Sequence, residues 1–279
     1  MAPLLLALAS VSCAGDGASE KEGDEPLKLA GIVFQEDQFF RLIQFGMQHA
    51  ADEAGVELLL ANSAGKPDKE IQLVNTYLTR QVDAIVISPL SATASVTALK
   101  RARDSGTTVV TYNSAVNGDI AAAHIESDQR DLGRKTGQVA RRYIEESLGD
   151  KAKVAVIAFK SQLPETSNGR SSGFIDEIRQ LPGVEIVAEQ DAWLPETAIK
   201  KVGDILTANP DLDIVWSANE GGTIGAVMAV KNAGKGGQVA VFGTDTSEQL
   251  IDFLLSDDRI LHAITGQQPF AIGSRAVNT

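Results

Sequence analysis

A chain of 279 residues is too long for one ordinary domain and about right for two. Apolar residues make up 43% of it, enough for each half to bury a core. The net charge of −12 excludes nucleic acid and anionic lipid surfaces as partners, since both demand patches of Lys and Arg.

Residues 3–12, PLLLALASVS, form an apolar run too short to span a bilayer as a helix. Small residues follow, then Cys13, the only cysteine, so no disulfide forms within the chain. The stretch resembles the end of a bacterial lipoprotein signal, which implies lipidation at Cys13 and a periplasmic or cell-surface location. Ser10 sits where such signals carry Leu, and no basic segment precedes the run, so a truncated start is expected. Residues 14–26, AGDGASEKEGDEP, are Gly-rich and charged and read as a flexible tether.

Leu27–Phe34 is a near-continuous apolar run, as expected of a strand covered on both faces. Phe39–Ala54 carries Leu42, Ile43, Phe45, Met47, Ala50 and Ala54 at helical spacing, and Gly55 ends it. Val56–Ala61 is the second strand. Asp68 is expected to cap the next helix, with Ile71, Val74 and Leu78 on one face. Val82–Ser88 is a strand, Ala92–Ser105 a helix and Thr107–Thr111 the fourth strand.

The next stretch, Thr111–Gln129, organises the chain. It starts at the carboxyl end of a buried strand, where open α/β sheets place ligands. It offers Asn113 and Ser114 there, passes through a strand at Ala121–Ile125, and enters a long helix at Asp128–Ser147. It reads as the first crossover between two lobes. Beyond it, strands at Lys153–Ala158, Val184–Ala188, Asp213–Ser217, Gln238–Gly243 and Leu261–Thr265 alternate with helices at Thr166–Gln180, Glu196–Asn209, Gly222–Asn232, Ser247–Leu255 and Phe270–Asn278. Such alternation means parallel sheets with right-handed crossovers, in two successive blocks. The domains are read as a leader and tether over 1–26, an N-terminal lobe of 27–126 plus 267–279, and a C-terminal lobe of 127–266.

The motifs speak against an enzyme or a metal site. His49, His124 and His262 are isolated, without HxH or HExxH spacing, and His124 reads as a satisfied core histidine. No GxSxG elbow is present. Gly221-Gly222-Thr223-Ile224-Gly225, with Asp245 beyond it, imitates a dinucleotide fingerprint, but as GGxxG and late in the chain. It reads as a Gly-rich helix start beside a cleft, so no cofactor is expected. Planar and polar residues instead recur at strand ends: Asp37, Phe39 and Phe40; Asn113; Trp193; Asn219; Asp245; Gln267. Together they describe a cleft that can stack on sugar C–H faces and bond to hydroxyls.

The order FF after the first strand, TYNS after the fourth, HIESDQ at the crossover, then NGRSSGF, WLPETA, WSANEGG, VFGTD and ITGQQP is similar to the type I periplasmic binding proteins, nearest the ribose- and galactose-binding group. The resemblance covers residues 27–279. It implies an α/β fold of two Rossmann-like lobes with parallel sheets joined by a hinge of three interlobe strands, and closure on one sugar or polyol. It implies a monomeric receptor that delivers its ligand to an ABC import permease, without chemistry of its own; a sensor feeding a kinase or chemoreceptor is the alternative. It places stacking aromatics at Phe39, Phe40 and Trp193, and polar ligands at Asp37, Asn113, Ser114, Asn168, Asn219, Asp245 and Gln267. Arg170 matches the family's Arg before Gly-Phe. Ribose binders carry Asp-Arg where this chain has Asn113-Ser114, and Arg where it has Asn168, so poor ribose binding, a preference for another neutral sugar or polyol, and rejection of sugar acids are expected. The chain stops at Thr279, inside a helix that the family continues and follows with a last strand.

Overall fold

The computed structural model describes residues 26–279; Cys13 and the leader lie outside them. In the first half β1 (Lys28–Val33), α1 (Gln38–Ala54), β2 (Glu57–Asn62), α2 (Pro67–Thr79), β3 (Ala84–Ile87), α3 (Val96–Asp104), β4 (Thr108–Tyr112) and β5 (Ala123–Ile125) build a parallel sheet of order β2-β1-β3-β4-β5. Then come α4 (Gln129–Ser147), β6 (Lys151–Ala158), α5 (Pro164–Ile178), β7 (Gly183–Asp191), α6 (Pro195–Ala208), β8 (Ile214–Ser217), α7 (Glu220–Asn232), β9 (Ala240–Thr244), α8 (Glu248–Leu254), β10 (Leu261–Thr265) and α9 (Pro269–Val277). The second sheet runs β7-β6-β8-β9-β10, again all parallel and in the same order as the first.

The interior strands β8 and β9 are buried throughout, which is why their sequences read as unbroken apolar runs. Within β8, Trp216 is wholly buried and stacks on Phe174 with centroids 4.6 Å apart.

The helix that follows the last strand of each sheet packs in the other lobe. Helix α4, after β5, lies on α5, and α9, after β10, lies on α1. Glycines set both approaches. A Cβ on Gly46 would stand 2.0 Å from the Phe270 carbonyl oxygen, and one on Gly173 would stand 2.0 Å from that of Arg130. The exchange ties the lobes together; among the described residues the backbone passes from β5 to α4 at residues 126–128 and from β10 to α9 at residues 266–268.

Three details differ from expectation. Lys66, not Asp68, precedes α2; Pro67 opens the helix and Asp68 lies in its first turn. Helix α3 begins at Val96 instead of Ala92. The Ser91 hydroxyl accepts from the Thr93 and Ala94 amides, and buried Glu70 accepts from Leu90 N and the Ser95 hydroxyl, so residues 90–95 are held in turns. Strand β7 runs on to Asp191, because its polar end pairs with β6 up to Ala158 on an exposed sheet edge, where no apolar signal is needed.

Candidate functional site

The carboxyl ends of both sheets face each other across a narrow cavity. Strand ends and the helix starts that follow them line it, as expected of open α/β sheets. From the first lobe come Phe34, Asp37, Phe39, Phe40 and Asn113. From the second come Phe159, Leu163, Thr166, Arg170, Trp193, Asn219, Glu220 and Asp245, with Gln267 from the second crossover. The lobes meet over it: Phe34 stacks on Trp193 at 5.9 Å, and the Glu248 amide donates to Gln38 Oε1 at 3.0 Å.

Local backbone aims the polar groups. Asn113 and Asp245 occupy matching places, each just past the fourth strand of its sheet. Both have left-handed backbone, with φ of 58° and 74°, a conformation that Asn and Asp tolerate better than most residues. Each donates its amide across to the neighbouring fifth strand, to Ile125 O and Thr265 O, both at 2.9 Å. The kink turns both side chains into the cleft.

Asp245 is the most connected group. It accepts from Gln267 Nε2 at 2.7 Å, from the Glu220 amide at 3.1 Å and from Arg170 Nη1 at 3.4 Å. Arg170 is itself buried; it also donates to Gln129 Oε1 and Ala218 O, both at 2.8 Å, and lies over the Phe159 ring. Burial pulls its pKa down and the Asp245 carboxylate opposes that pull.

Two carboxyls beside it, Asp37 and Glu220, are displaced upward from the ordinary carboxylate range. Burial pushes Asp37 up to about 6, helped by Asp245 and opposed by the Phe40 amide that Asp37 caps at 2.9 Å. Burial, then the neighbouring Asp37 and Asp245, push Glu220 up to about 7. Glu220 Oε2 and Gln267 Oε1 are buried with no hydrogen-bond partner in the protein, a costly state that a bound molecule would relieve.

Most of the expected residues meet here, with two exceptions. Asn168 is exposed on α5. The positions of α5 that enter the cavity are Thr166 and Arg170, four apart and so on one face, while Asn168 lies between them on the opposite side. Arg170 is therefore the cleft arginine, and Asn168 is no substitute for one. Ser114 is buried beside the cavity, with its hydroxyl donating to Pro89 O at 2.6 Å and 3.0 Å from Ser88 Oγ. It supports Asn113, whose Nδ2 donates to the same Ser88 Oγ at 3.3 Å.

Asn219 lines the cavity but spends its amide on the protein: Oδ1 caps α7 through Gly222 N, and Nδ2 holds the Trp193 carbonyl at 2.9 Å. Trp193 is half-buried and also packs on the core, against the expectation that no apolar group is needed there. His124 is exposed on edge strand β5, with Nδ1 2.9 Å from Thr111 Oγ1, and is not a core histidine.

Sequence reasoning missed Phe34, Phe159, Leu163, Thr166 and Glu220. One signal was available: Phe34 and Phe159 directly follow the first strand of each sheet, and equivalence of the halves would have paired them. The Gly221–Gly225 run has a packing role. A Cβ on Gly221 would lie 2.5 Å from Trp193 O, and one on Gly225 would lie 2.4 Å from the Ala198 Cβ, so these glycines let α7 close on α6 and the Trp193 loop. No described helix is long and apolar enough to cross a membrane.

The sequence model of the periplasmic binding protein domain matches residues 32–279. The chain belongs to this family. The ABC transporter periplasmic-binding protein YphF of Escherichia coli is 30% identical to this binding protein over 254 residues, covering 88% of this chain and 76% of that one. A ribose import binding protein of Bacillus subtilis is 27% identical, covering 85% and 75%. Among solved structures, a solute-binding protein from Agrobacterium vitis bound with α-D-tagatopyranose superposes with a TM-score of 0.81 at 26% identity, covering 90% of this chain and 87% of that one. The binding protein thus has the family's two parallel-sheet lobes with a cleft between them.

Proposed function

We propose that this binding protein captures a monosaccharide or polyol between its lobes and hands it to an ABC import permease. The observation that carries the reading is the composition of the cavity. Aromatic Phe34, Phe159 and Trp193 line it together with polar Asp37, Asn113, Glu220 and Asp245. Sugars present both an apolar C–H face and a ring of hydroxyls, and this pairing matches them. The relatives named for ribose import and seen with a tagatopyranose support the class.

Binding shifts an open–closed equilibrium, and the permease reads the closed form. No bond is made or broken, and the receptor works as a monomer. The moving bodies are residues 27–126 with 267–279, and residues 127–266. Anchoring is at Cys13: labelled palmitate enters a chain supplied with a functional leader, and fails to enter Cys13→Ala.

Calorimetry with ribose, a hexose set, a polyol set and a uronic acid tests the reading. A hexose or polyol binds. Ribose binds poorly, since Asn113 is short and neutral and makes weaker bonds than a charged group. Uronic acids are rejected by Asp37, Glu220 and Asp245. Tight binding of a sugar acid, or of no sugar or polyol at all, overturns it.

A further inference from the structure

We propose that the ligand of this cleft carries a protonated amine: an amino sugar or an amino polyol, whose ammonium group sits among Asp37, Glu220 and Asp245. The inference rests on the reading of the cleft as a sugar site and narrows it.

Every charged group around the cavity bears on the question. Asp37 caps α1, Glu220 opens α7 and Asp245 follows β9; all three line the cavity. Among the described residues Arg170, from α5, is the cation lining it, and it is already engaged by Asp245, Gln129 Oε1 and the Ala218 carbonyl. Arg41, on α1, is exposed and donates to the Glu36 carbonyl at 3.1 Å, and its charge favours the ionised forms of Asp37 and Glu220 without its lining the cavity. Glu126, ahead of α4, adds negative potential at Arg170. With its carboxyls ionised the lining carries three negative charges against one positive.

The hydrogen-bonding balance leans the same way. The buried cavity atoms without a protein partner are acceptors, Glu220 Oε2 and Gln267 Oε1. Asp245 and Asp37 have their oxygens held by fixed donors, and each oxygen keeps acceptor capacity beyond those bonds. An enclosed set of acceptors with surplus negative charge is complementary to a group that only donates and is positive. An ammonium has three donors and no acceptor. A neutral hydroxyl leaves the charge uncompensated, and the carboxyls then take up protons, consistent with the raised pKa values of Asp37 and Glu220.

Matched pairs of ligands test this with the intact protein. Glucose and glucosamine, galactose and galactosamine, and sorbitol and its 1-amino-1-deoxy counterpart are titrated calorimetrically at about pH 7. In at least one pair the amine binds about tenfold or more tighter than its neutral partner, the increment of a charge-assisted contact. That preference shrinks towards about pH 5, as Asp37 and Glu220 take up protons, and Glu220→Gln lowers the ratio of amine to neutral affinity several-fold, whatever it does to the neutral partner alone. If neutral members bind and their amines bind equally or worse, the amine assignment is wrong and the sugar-site reading stands. If no member of either class binds, both are wrong. A preference for the amine that survives both acid and Glu220→Gln also overturns the placement.

Discussion

Phe34, at the end of β1, stacks on Trp193, after β7, with ring centroids 5.9 Å apart and planes at 30°. Phe159, the matching residue after β6, meets the same indole edge-on at 5.7 Å. One aromatic from each sheet end thus grips Trp193, and the stacked pair bridges the lobes. The indole is both a wall of the cavity and part of the closed interface, so opening the cleft separates Phe34 from it.

Trp193→Ala should therefore cost both affinity and stability. A buried aromatic anchor is worth about 2 kcal/mol or more, or about thirtyfold in Kd. Melting temperature should fall by several degrees, because the ring also packs on the core. In a Trp216→Phe background, ligand should change the remaining Trp193 emission. Emission blind to a ligand that calorimetry detects would remove Trp193 from the site.

Asp245 holds a buried arginine, so the choice of substitution matters. Asp245→Ala leaves Arg170 in the interior without its counter-charge, a loss on the order of 3 kcal/mol by chemical denaturation. Asp245→Asn keeps an acceptor for the Glu220 amide and should destabilise less. Its affinity for the cognate ligand should drop about tenfold or more, the worth of a charged acceptor. Equal affinity in folded Asp245→Asn would show that the carboxylate does not touch ligand.

Stability of the ligand-free protein should fall as pH rises from about 4.5 to about 7, the interval over which Glu220 is displaced. The sign follows from linkage. Folding raises the Glu220 and Asp37 values, so in this interval the native state binds more protons than the unfolded chain, and raising pH favours unfolding. The effect of Glu220 reaches at most about 3 kcal/mol. Glu220→Gln should flatten the dependence of melting temperature on pH, and an unchanged slope would refute the assignment.

Two glycine substitutions should act in opposite directions. Gly46→Ala drives a methyl into the Phe270 backbone, 2.0 Å from its oxygen, and forces α1 and α9 apart. It should destabilise by about 3 kcal/mol or more. Gly203, inside α6, has open space around its would-be Cβ, so Gly203→Ala should stabilise by about 0.5–1 kcal/mol. Thermal unfolding of the pair measures both.

The alternation of buried strands and amphipathic helices was legible from sequence because it is local. Runs such as AIVI in β3 and AVFGT in β9 have one physical use, a strand covered on both faces. The strand-end residues Asp37, Phe39, Phe40, Asn113, Trp193, Asp245 and Gln267 could be found for a related reason: ends of parallel strands are where backbone leaves the core and side chains face a cleft.

What only the tertiary structure decided is which groups converge and which are already occupied. Arg170 enters the cavity and Asn168 does not, since two residues of helix turn a side chain through more than half a circle. Asn219 is absorbed in capping α7 and holding Trp193 O, which no spacing reveals. The negative balance of the cleft depends on Glu220 coming close to Asp37, 183 positions earlier in the chain, and on Arg170 being committed to Asp245. Those distances are set by how the two sheets face each other and by the helices α4 and α9 that each lobe lends the other, so they are properties of packing and not of any local stretch.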